Sequence, residues 1–545
     1  MIAITRLFRL IAIGIVSILL PSVLAYAGAR PAPTAAPGKP AGTVTVAIHT
    51  FSQERTDPSM DTTLALPYHG QMYDWFIGAT PAGQLTTAYS ALDNYEANAN
   101  ATVYTFTLRK GLKWHDGVEM TAEDIKFTVE HYARKESTCT QCGVVKANLD
   151  QVQVVDRYTA RIHLKKPDAN LPAAFGPLEG DIKILPKHYI AKVGLEAFEQ
   201  KPMGSGPWKF VGREIGQFIE YEANANYWNP SRIPGFAKLR MLLVPEARTR
   251  VAMLKRGEAD LVNLEPQDVK PLRSEGFTIL GPRNAGSSLV VFWKSYDPTF
   301  LCHKLEFRKA LTLAVDWEAV VNAFYPPEVG ERHRGGAALF SPVTMGYDAE
   351  LPPYTHNPEE AKRLLQQAGY KGEKVNFWSY AETPNPEQLE VNEVIASYWR
   401  KVGLDVNLIP VDFATFRPKY ATRPQKFDPP CEVAVSFPWM RPSLVNNMRV
   451  YMVTAEAGGV ISGYWDSQKG DRLFAEVSAI VDPQARDRRL RELNREFYQE
   501  YWAIPIVVRH LPFAAGPRIA DWQPTSATPT NLAFETLKPS VKPRR

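Results

Sequence analysis

The sequence predicts an α/β protein with more than one domain. Segments with the period of strands alternate with segments that have the period of helices, from Thr43–Ile48 to the helix expected after Asp482. This alternation is typical of α/β domains. Of the 545 residues, 518 follow Ala27 (545 minus 27), and a chain of that length usually divides into two or more domains.

The N-terminus has the pattern of a secretory signal. Two arginines precede an apolar run from Leu10 to Leu20, and Ala25-Tyr26-Ala27 offers small residues for a signal peptidase. The run is shorter than the ~20 apolar residues of a membrane-spanning helix, and no cysteine follows it as a lipid anchor. We expect residues 1–27 to be a cleavable signal peptide, residues 28–42 a flexible lead-in, and the mature protein to be periplasmic.

Composition excludes several classes of function. The chain is 45% hydrophobic and 22% charged, which is ordinary for a globular protein. Loss of the signal removes two arginines and lowers the formal charge from +5 to +3, so we expect no nucleic-acid partner. The sequence contains no His-Glu-x-x-His, no phosphate loop and no Gly-x-Ser-x-Gly motif. We therefore expect a monomer that is not an enzyme, with no catalytic residues, cofactor or metal.

The histidines do not show the spacing of a metal site. Ser205, in Gly204-Ser205-Gly206, lacks the strand and helix that surround a catalytic serine. The segment Arg332-His333-Arg334 is interpreted as an exposed basic turn, because flanking positive charge disfavours a metal ion.

One ordered segment stands out after the first strand. Tyr104, Phe106 and Leu108 alternate with polar residues, as in a half-buried strand. Asp116-Gly117 favours a tight turn. Thr121 and the acidic residue three positions later resemble a capping box, which predicts a helix that continues to Tyr132.

Three later segments also show the sequence pattern of a helix N-terminus. Asn357-Pro358, Asn385-Pro386 and Asp482-Pro483 each place a capping residue before a proline. A strand is expected through Val406, between the second and third of these helices.

The four cysteines favour disulfides in an exported protein. Cys139 and Cys142 lie in a polar loop after a helix, and we expect a structural disulfide there, with two free thiols as the alternative. Cys302 and Cys431 could also pair, although the sequence alone leaves this open.

The segment Tyr104–Tyr132 resembles the signature of the family 5 extracellular solute-binding proteins, the peptide and nickel receptors of bacterial ABC importers. Other family elements follow in the same order, at Met203–Phe210, Tyr221–Pro230, Arg250–Asp260 and Phe307–Asp316.

The resemblance implies a two-lobed, Venus-flytrap fold that closes on a ligand, with an extra subdomain in lobe I. Lobe I would comprise residues 43–70, 204–290 and 505–540, the subdomain residues 71–203, and lobe II residues 291–504. The implied function is capture of a peptide or peptide-like solute and its delivery to an inner-membrane ABC permease with its ATPase subunits.

One segment departs from the family pattern. In peptide-binding members, a strand leads into a Trp and then an Asp that pairs with the ligand's amino group. Counting from the strand at Glu432 without a gap, Arg441 takes the place of that Asp; aligning Trp439 with the family Trp places Pro442 there instead. An inward Arg441 would hold a carboxylate or phosphate, whereas an outward one would be solvated. The alternative ligand is therefore an anionic non-peptide, such as an opine, a sugar acid or another carboxylate.

Aromatic residues are the other candidates for ligand contact. Trp293 is expected where the chain enters lobe II, with Trp439 facing it, and Tyr68 and His69 are expected on lobe I. Aromatic walls bury ligand area at low entropic cost. The alternative, which is the commoner case for any single aromatic residue, is that each of them belongs to a hydrophobic core.

Overall fold

A computed structural model describes most of the mature chain. The described residues are 39–80, 85–139, 141–177, 180, 182–283, 286–334, 336–337, 339–380, 387–421, 425–438, 444–454, 468–524 and 532–540. The expected signal peptide, residues 1–27, and most of the lead-in at 28–42 lie outside them.

The strands among these residues are β1 Thr43–Ile48, β2 Gly78–Ala79, β3 Leu85–Thr86, β4 Leu92–Ala97, β5 Val103–Leu108, β6 Leu149–Val154, β7 Thr159–Leu164, β8 Trp208–Glu214, β9 Phe218–Ala223, β10 Lys238–Leu243, β11 Leu261–Asn263, β12 Thr278–Leu280, β13 Gly286–Trp293, β14 Gly330–Arg332, β15 Val375–Ser379, β16 Val406–Pro410, β17 Cys431–Ser436, β18 Ala503–Arg509, β19 Phe513–Ala515, β20 Ile519–Asp521 and β21 Lys538–Pro539.

The α-helices are α1 Leu66–Met72, α2 Ala122–Tyr132, α3 Cys142–Asn148, α4 Leu171–Ala174, α5 Lys187–Val193, α6 Leu195–Gln200, α7 Ala247–Arg256, α8 Pro266–Ser274, α9 Leu305–Leu313, α10 Trp317–Phe324, α11 Pro358–Gln367, α12 Gln388–Lys401, α13 Phe413–Ala421, α14 Leu444–Tyr451, α15 Gln468–Ser478 and α16 Pro483–Gln499.

Three sheets organise these elements. The seven-stranded sheet of lobe I has the order β12-β19-β11-β1-β10-β9-β8, and the six-stranded sheet of lobe II has the order β14-β18-β13-β17-β15-β16. The four-stranded sheet β4-β5-β7-β6 belongs to the extra subdomain, where it contacts helix α2. The mixed α/β character agrees with the predicted fold class.

The chain crosses between the two large sheets twice, from β12 to β13 and from β18 to β19. The amide of Leu511 donates to the carbonyl of Pro282 at 3.0 Å, which ties the two crossings together. Gly281 has φ +134°, and a Cβ there would lie 2.0 Å from the Leu511 oxygen. Only glycine allows the crossings to approach this closely.

The strand pairing corrects two predicted boundaries. Residues 286–290 belong to β13, which pairs with β17 and β18 in the lobe II sheet. Residues 505–509 belong to β18 in the same sheet. The predicted division placed both segments in lobe I, because alternation within a strand does not reveal which sheet the strand joins.

The signature segment folds as its local pattern predicts. β5 and the hairpin with Gly117 at φ +90° lead into α2, and the amide of Thr121 donates to Asp124 at 2.9 Å in a capping box. His115 lies 3.0 Å from the carbonyl of Gly206, and burial lowers its pKa to about 4. His115 is therefore a neutral donor that joins the turn to the next family element.

Both cysteine pairs form disulfides in this structure. The Cα atoms are 5.1 Å apart for Cys139 and Cys142, and 5.3 Å apart for Cys302 and Cys431. The second bridge connects the short 3-10 turn Leu301–His303, which precedes α9, to the start of β17, a pairing that the sequence had left open.

The segment at Arg332-His333-Arg334 is not an exposed turn, contrary to the interpretation of the sequence. Arg332 ends β14 and donates to the carbonyls of Pro505 and Ile506 at 2.9 and 3.0 Å. His333 is fully buried, and burial, with the charge of Arg332, lowers its pKa to about 3. Main-chain carbonyls of the neighbouring strand β18 accept hydrogen bonds from the Arg332 guanidinium. A pattern of three residues in the sequence does not reveal such a tertiary contact.

Candidate solute-binding cleft

The parallel strands of lobe I end at the edge from which the chain crosses to lobe II. β1 is parallel to β10 and β11, so their carboxyl ends, at Ile48, Leu243 and Asn263, share one edge. Leu280, the last residue of β12, and Asn263 both pair with Phe513. The first crossing therefore leaves lobe I at the carboxyl edge of its parallel strands.

Lobe II receives the chain at a matching edge. β17, β15 and β16 are parallel to one another. Leu289, in the first half of β13, pairs with Ser436 at the carboxyl end of β17, and Gly286 pairs with Arg509 at the end of β18. Both crossings thus join carboxyl edges. Ligands of open α/β sheets bind outside the carboxyl ends of strands, so the space between these edges is the candidate cleft.

A buried arginine holds the lobe I edge together. Arg250 of α7 donates to the carbonyls of Val244, Pro245 and Asn263 at 2.8, 2.7 and 3.0 Å. These carbonyls follow β10 or end β11, where a strand has no further ladder partner. The guanidinium therefore fixes the ends of two strands. Burial lowers the pKa of Arg250, and the carboxylate of Glu265, 3.9 Å away, opposes that shift.

The same edge presents a neutral polar pair. The side-chain amide of Asn263 lies 3.0 Å from Nδ1 of His49, the residue after β1. Burial and the nearby charge of Arg250 lower the pKa of His49 to about 4, so the imidazole is neutral at physiological pH. Asn263 is only 8% exposed, and its Oδ1 has no hydrogen-bond partner in the described part of the chain.

The lobe II edge carries charge. Arg509, at the end of β18, pairs with Glu387, which precedes α12, with Nη1 and Oε1 2.5 Å apart. The side chains are 4% and 10% exposed. The guanidinium lies over the rings of Tyr325 and Phe437, 4.8 and 5.9 Å from their centres. Aromatic faces and a carboxylate thus compensate the buried cation from different sides.

Small residues let aromatic and polar groups approach at this edge. The ring of Phe437 packs so closely over Gly286 that a Cβ there would lie 2.2 Å from the ring. Ser287 and Ser288 follow in β13, and both hydroxyls are buried without a partner among the described side chains and backbone. The entry of β13 therefore supplies further polar groups beside the charged pair.

Tyr68 and His69 lie in α1 and are fully buried. The Tyr68 hydroxyl is 2.7 Å from Oδ2 of Asp61 and 2.8 Å from the carbonyl of Arg55, and Nε2 of His69 is 2.7 Å from that carbonyl. Burial lowers the pKa of His69 well below its ordinary value, so the neutral ring donates. Both side chains hold the loop after β1, and a contact with solute stays a prediction.

Trp293 lies away from the candidate cleft edge, and its predicted contact with the solute stays a prediction. β13 begins at Gly286 beside the crossing, and Trp293 ends it, paired with Glu432 at the start of β17. Seven residues of strand put it about 23 Å beyond the edge. There it stacks on Phe427, with ring centres 5.2 Å apart. The predicted entry to lobe II was several residues too late, which placed Trp293 near the cleft.

Trp439 and Arg441 lie outside the described residues. The last described residue before them, Pro438, accepts a hydrogen bond from the amide of Ser287 at 3.1 Å, so the chain reaches the cleft edge directly before this segment. Sequence reasoning missed His49, Asn263, Glu387 and Arg509. The positions of His49 and Asn263, directly at the ends of two apolar strands, are a signal that could have found them.

Two features of the described residues concern membranes and metal ions. They contain no helix that combines the length and apolarity needed to cross a membrane. Nor do they bring together three or more His, Cys, Asp or Glu side chains in a group that could hold a metal ion.

Comparison with known proteins gives a consistent result. Residues 83–429 match the family model described as bacterial extracellular solute-binding proteins, family 5 Middle. Heme-binding protein A of Haemophilus influenzae is 30% identical over 355 residues, 60% of this chain and 62% of that protein. Oligopeptide-binding protein AppA of Bacillus subtilis is 23% identical over 438 residues, 76% of this chain and 77% of that protein.

Solved structures share the fold over almost the whole chain. HbpA2 from Haemophilus parasuis superposes with a TM-score of 0.77 at 22% identity, covering 92% of this chain and 100% of that one. AgaA from A. tumefaciens R10, solved with agropinic acid, superposes with a TM-score of 0.72 at 20% identity, covering 92% and 99%.

Proposed function

The chain belongs to family 5 of the bacterial extracellular solute-binding proteins, and from this premise we propose that it is the periplasmic receptor of an ABC importer for a peptide or peptide-like solute. The solute is captured between the two carboxyl edges and delivered to an inner-membrane permease with its ATPase subunits. In this proposal the receptor binds and releases its solute without chemical change, so it is not an enzyme.

The observation that carries the peptide assignment is the pair His49 and Asn263. The neutral imidazole and the amide each use one side for the bond between them. With Asn263 donating one N–H to Nδ1, the groups left over are the Nε2–H donor of His49, and the Oδ1 acceptor and second N–H donor of Asn263. A peptide group offers the matching acceptor and donor, its C=O and N–H. A buried acceptor without a partner is costly, and a solute N–H would relieve that cost.

The charged pair on lobe II supports a solute that carries both signs. Arg509 and Glu387 are buried together at the opposing edge, so this edge presents a cation and an anion in one small region. A zwitterionic peptide fits such a surface better than an apolar solute does. The printed name of the relative AppA, an oligopeptide-binding protein, agrees with this assignment.

An anionic non-peptide, such as an opine or a sugar acid, is the second candidate. Arg441 favours it, because the peptide-binding pattern has a carboxylate where this arginine stands in the ungapped alignment. The fold is compatible with this candidate, since AgaA was solved with agropinic acid.

Mass spectrometry of the small molecules released by unfolding the freshly purified protein tests the proposal. We expect a peptide or an amide-containing solute at about one molecule per chain. Calorimetry with that compound should then show about tenfold weaker binding for Asn263→Leu, the scale of one lost hydrogen bond, and unchanged binding for Asn226→Leu at an exposed position. A released carboxylate with no amide, bound equally by both variants, would overturn the peptide assignment in favour of the anion.

A further inference from the structure

A short segment of the subdomain reaches across to lobe II. Asp168, Ala169 and Asn170 are the last three residues of the connection between β7 and α4. We call these three residues the strap. Their contacts lie far along the chain from the two crossings, on helices α14, α15 and α16 of lobe II. The strap therefore joins the lobes at a place where no covalent connection does.

The strap makes three polar contacts with lobe II. Oδ2 of Asp168 accepts from Nη2 of Arg449 at 2.8 Å. The amide of Ala169 donates to the carbonyl of Ser478 at 2.9 Å, and its carbonyl accepts from Nη1 of Arg486 at 2.9 Å. One residue thus bonds through both of its backbone polar groups to the other lobe, and its neighbour adds a charge pair.

The subdomain holds the strap in a fixed shape. The Tyr104 hydroxyl donates to the carbonyl of Asp168 at 2.7 Å, and the amide of Asp168 donates to Ala101 at 3.1 Å. Oδ1 of Asp168 accepts from the amide of Asn170 at 3.0 Å. The carboxylate therefore uses one oxygen to shape the strap and the other to bind lobe II.

On the lobe II side, packing also holds the residues that contact the strap. The guanidinium of Arg449 lies over the ring of Phe474, 5.1 Å from its centre. The Arg449 and Asp168 side chains are 12% and 3% exposed, so water screens their attraction little. Val481, between α15 and α16, packs partly buried against the core of lobe I and the subdomain, which adds apolar area to the contact.

We propose that the strap and Arg449 form a latch that stabilises the closed arrangement of the lobes, even without solute. Opening about the two crossings would separate Asp168 from Arg449 and Ala169 from Ser478 together. The latch sets the population of the closed state, and a ligand that binds this state gains apparent affinity in proportion to that population.

Hydrogen exchange of the full mature, solute-free protein tests the latch. In Arg449→Met, a side chain that keeps the packing on Phe474, the amide of Ala169 should exchange about tenfold faster or more, the factor for losing one charged hydrogen bond. Asp168→Asn removes the same pair from the other lobe and should act alike. Amides of β7 and β17 serve as internal references and should not change.

Glu123→Gln is the matched control, because it removes an exposed ion pair with Lys187 that lies within the subdomain. Exchange at Ala169 that is the same in Arg449→Met, Asp168→Asn and the control, with intact references, would overturn the proposal. So would faster exchange throughout β17 in Arg449→Met combined with no change at Ala169 in Asp168→Asn. Because no solute is present, the result does not depend on whether the solute is a peptide.

Discussion

In lobe I the carboxyl edge is held by Arg250, which donates to main-chain carbonyls, and the neutral pair of His49 and Asn263 lies at the same edge. In lobe II the edge is held by a side-chain charge pair, Arg509 and Glu387, between aromatic rings. The buried charge of lobe I, on Arg250, fixes the backbone at the strand ends. The buried charges of lobe II, on Arg509 and Glu387, pair with each other as side chains. In the proposed binding mode, lobe I would therefore supply directional hydrogen bonds to the solute, and lobe II would supply electrostatic complementarity.

The largest effect is expected at Arg250. Arg250→Met removes a buried cation from three carbonyls, and the free energy of unfolding should fall by about 4 kcal/mol, since each charged hydrogen bond contributes roughly 1.5–3 kcal/mol and packing is largely kept. Urea unfolding, followed by tryptophan fluorescence, measures the loss. Arg248→Met, at an exposed position of the same helix, is the control; equal losses in both variants would contradict the anchoring role of Arg250.

Loss of Glu387 should be nearly as costly, but in lobe II. Glu387→Gln leaves Arg509 buried without its carboxylate, and breaking a buried pair typically costs about 3–5 kcal/mol; the aromatic rings around Arg509 put our expectation at about 3 kcal/mol. Thermal unfolding of Glu387→Gln beside Glu390→Gln, an exposed position on the same helix, measures the difference. If the two variants unfold alike, the charge pair does not hold this edge.

The crossings should tolerate a methyl group poorly. Gly281→Ala combines φ +134° with a Cβ 2.0 Å from the Leu511 oxygen, whereas Gly216→Ala has φ +77° and open space. Both variants carry backbone strain of about 1 kcal/mol or more. The free energy of unfolding should fall by about 2 kcal/mol more in Gly281→Ala than in Gly216→Ala. This difference measures the cost of the close approach between the two crossings. Parallel urea titrations of the two variants give this difference, and a difference near zero would show that the crossings separate readily.

The smallest of these effects concerns pH. The pKa of His333 is about 3 in the folded protein, below the ordinary value near 6.5, so the unfolded chain binds the extra proton. Stability is therefore retained above pH 6.5 and lost as the pH falls toward 3. Between pH 7 and pH 5 the loss should be about 1–2 kcal/mol. His333→Asn should have a shallower slope of unfolding free energy against pH, whatever its absolute stability; an unchanged slope would refute neutral burial of His333.

Local patterns predicted the elements well. The capping residues Asn357 and Asp482 begin α11 and α16 as expected, and the signature segment forms its strand, turn and helix. These features depend on residues within a few positions of each other, so the sequence displays their cause directly.

The site was harder to predict, because its residues meet only through the tertiary fold. Asn263 lies 214 positions from His49, and Glu387 lies 122 positions from Arg509. Trp293 is a different case, since this aromatic residue was expected near a crossing and instead ends its strand far from the candidate cleft edge. A shift of a few residues in a boundary moves a side chain along a strand by ~3.3 Å per residue.

We propose that a solute binds between the two carboxyl edges and favours closure of the lobes. Small-angle X-ray scattering of the solute-free protein, titrated with the compound released from the native preparation, tests this claim directly. The radius of gyration should decrease and saturate at one solute per chain, and the decrease should be larger in Arg449→Met, which lacks the latch. Saturable binding of that compound with no change in the radius of gyration, in both the wild type and the more open Arg449→Met variant, would contradict it.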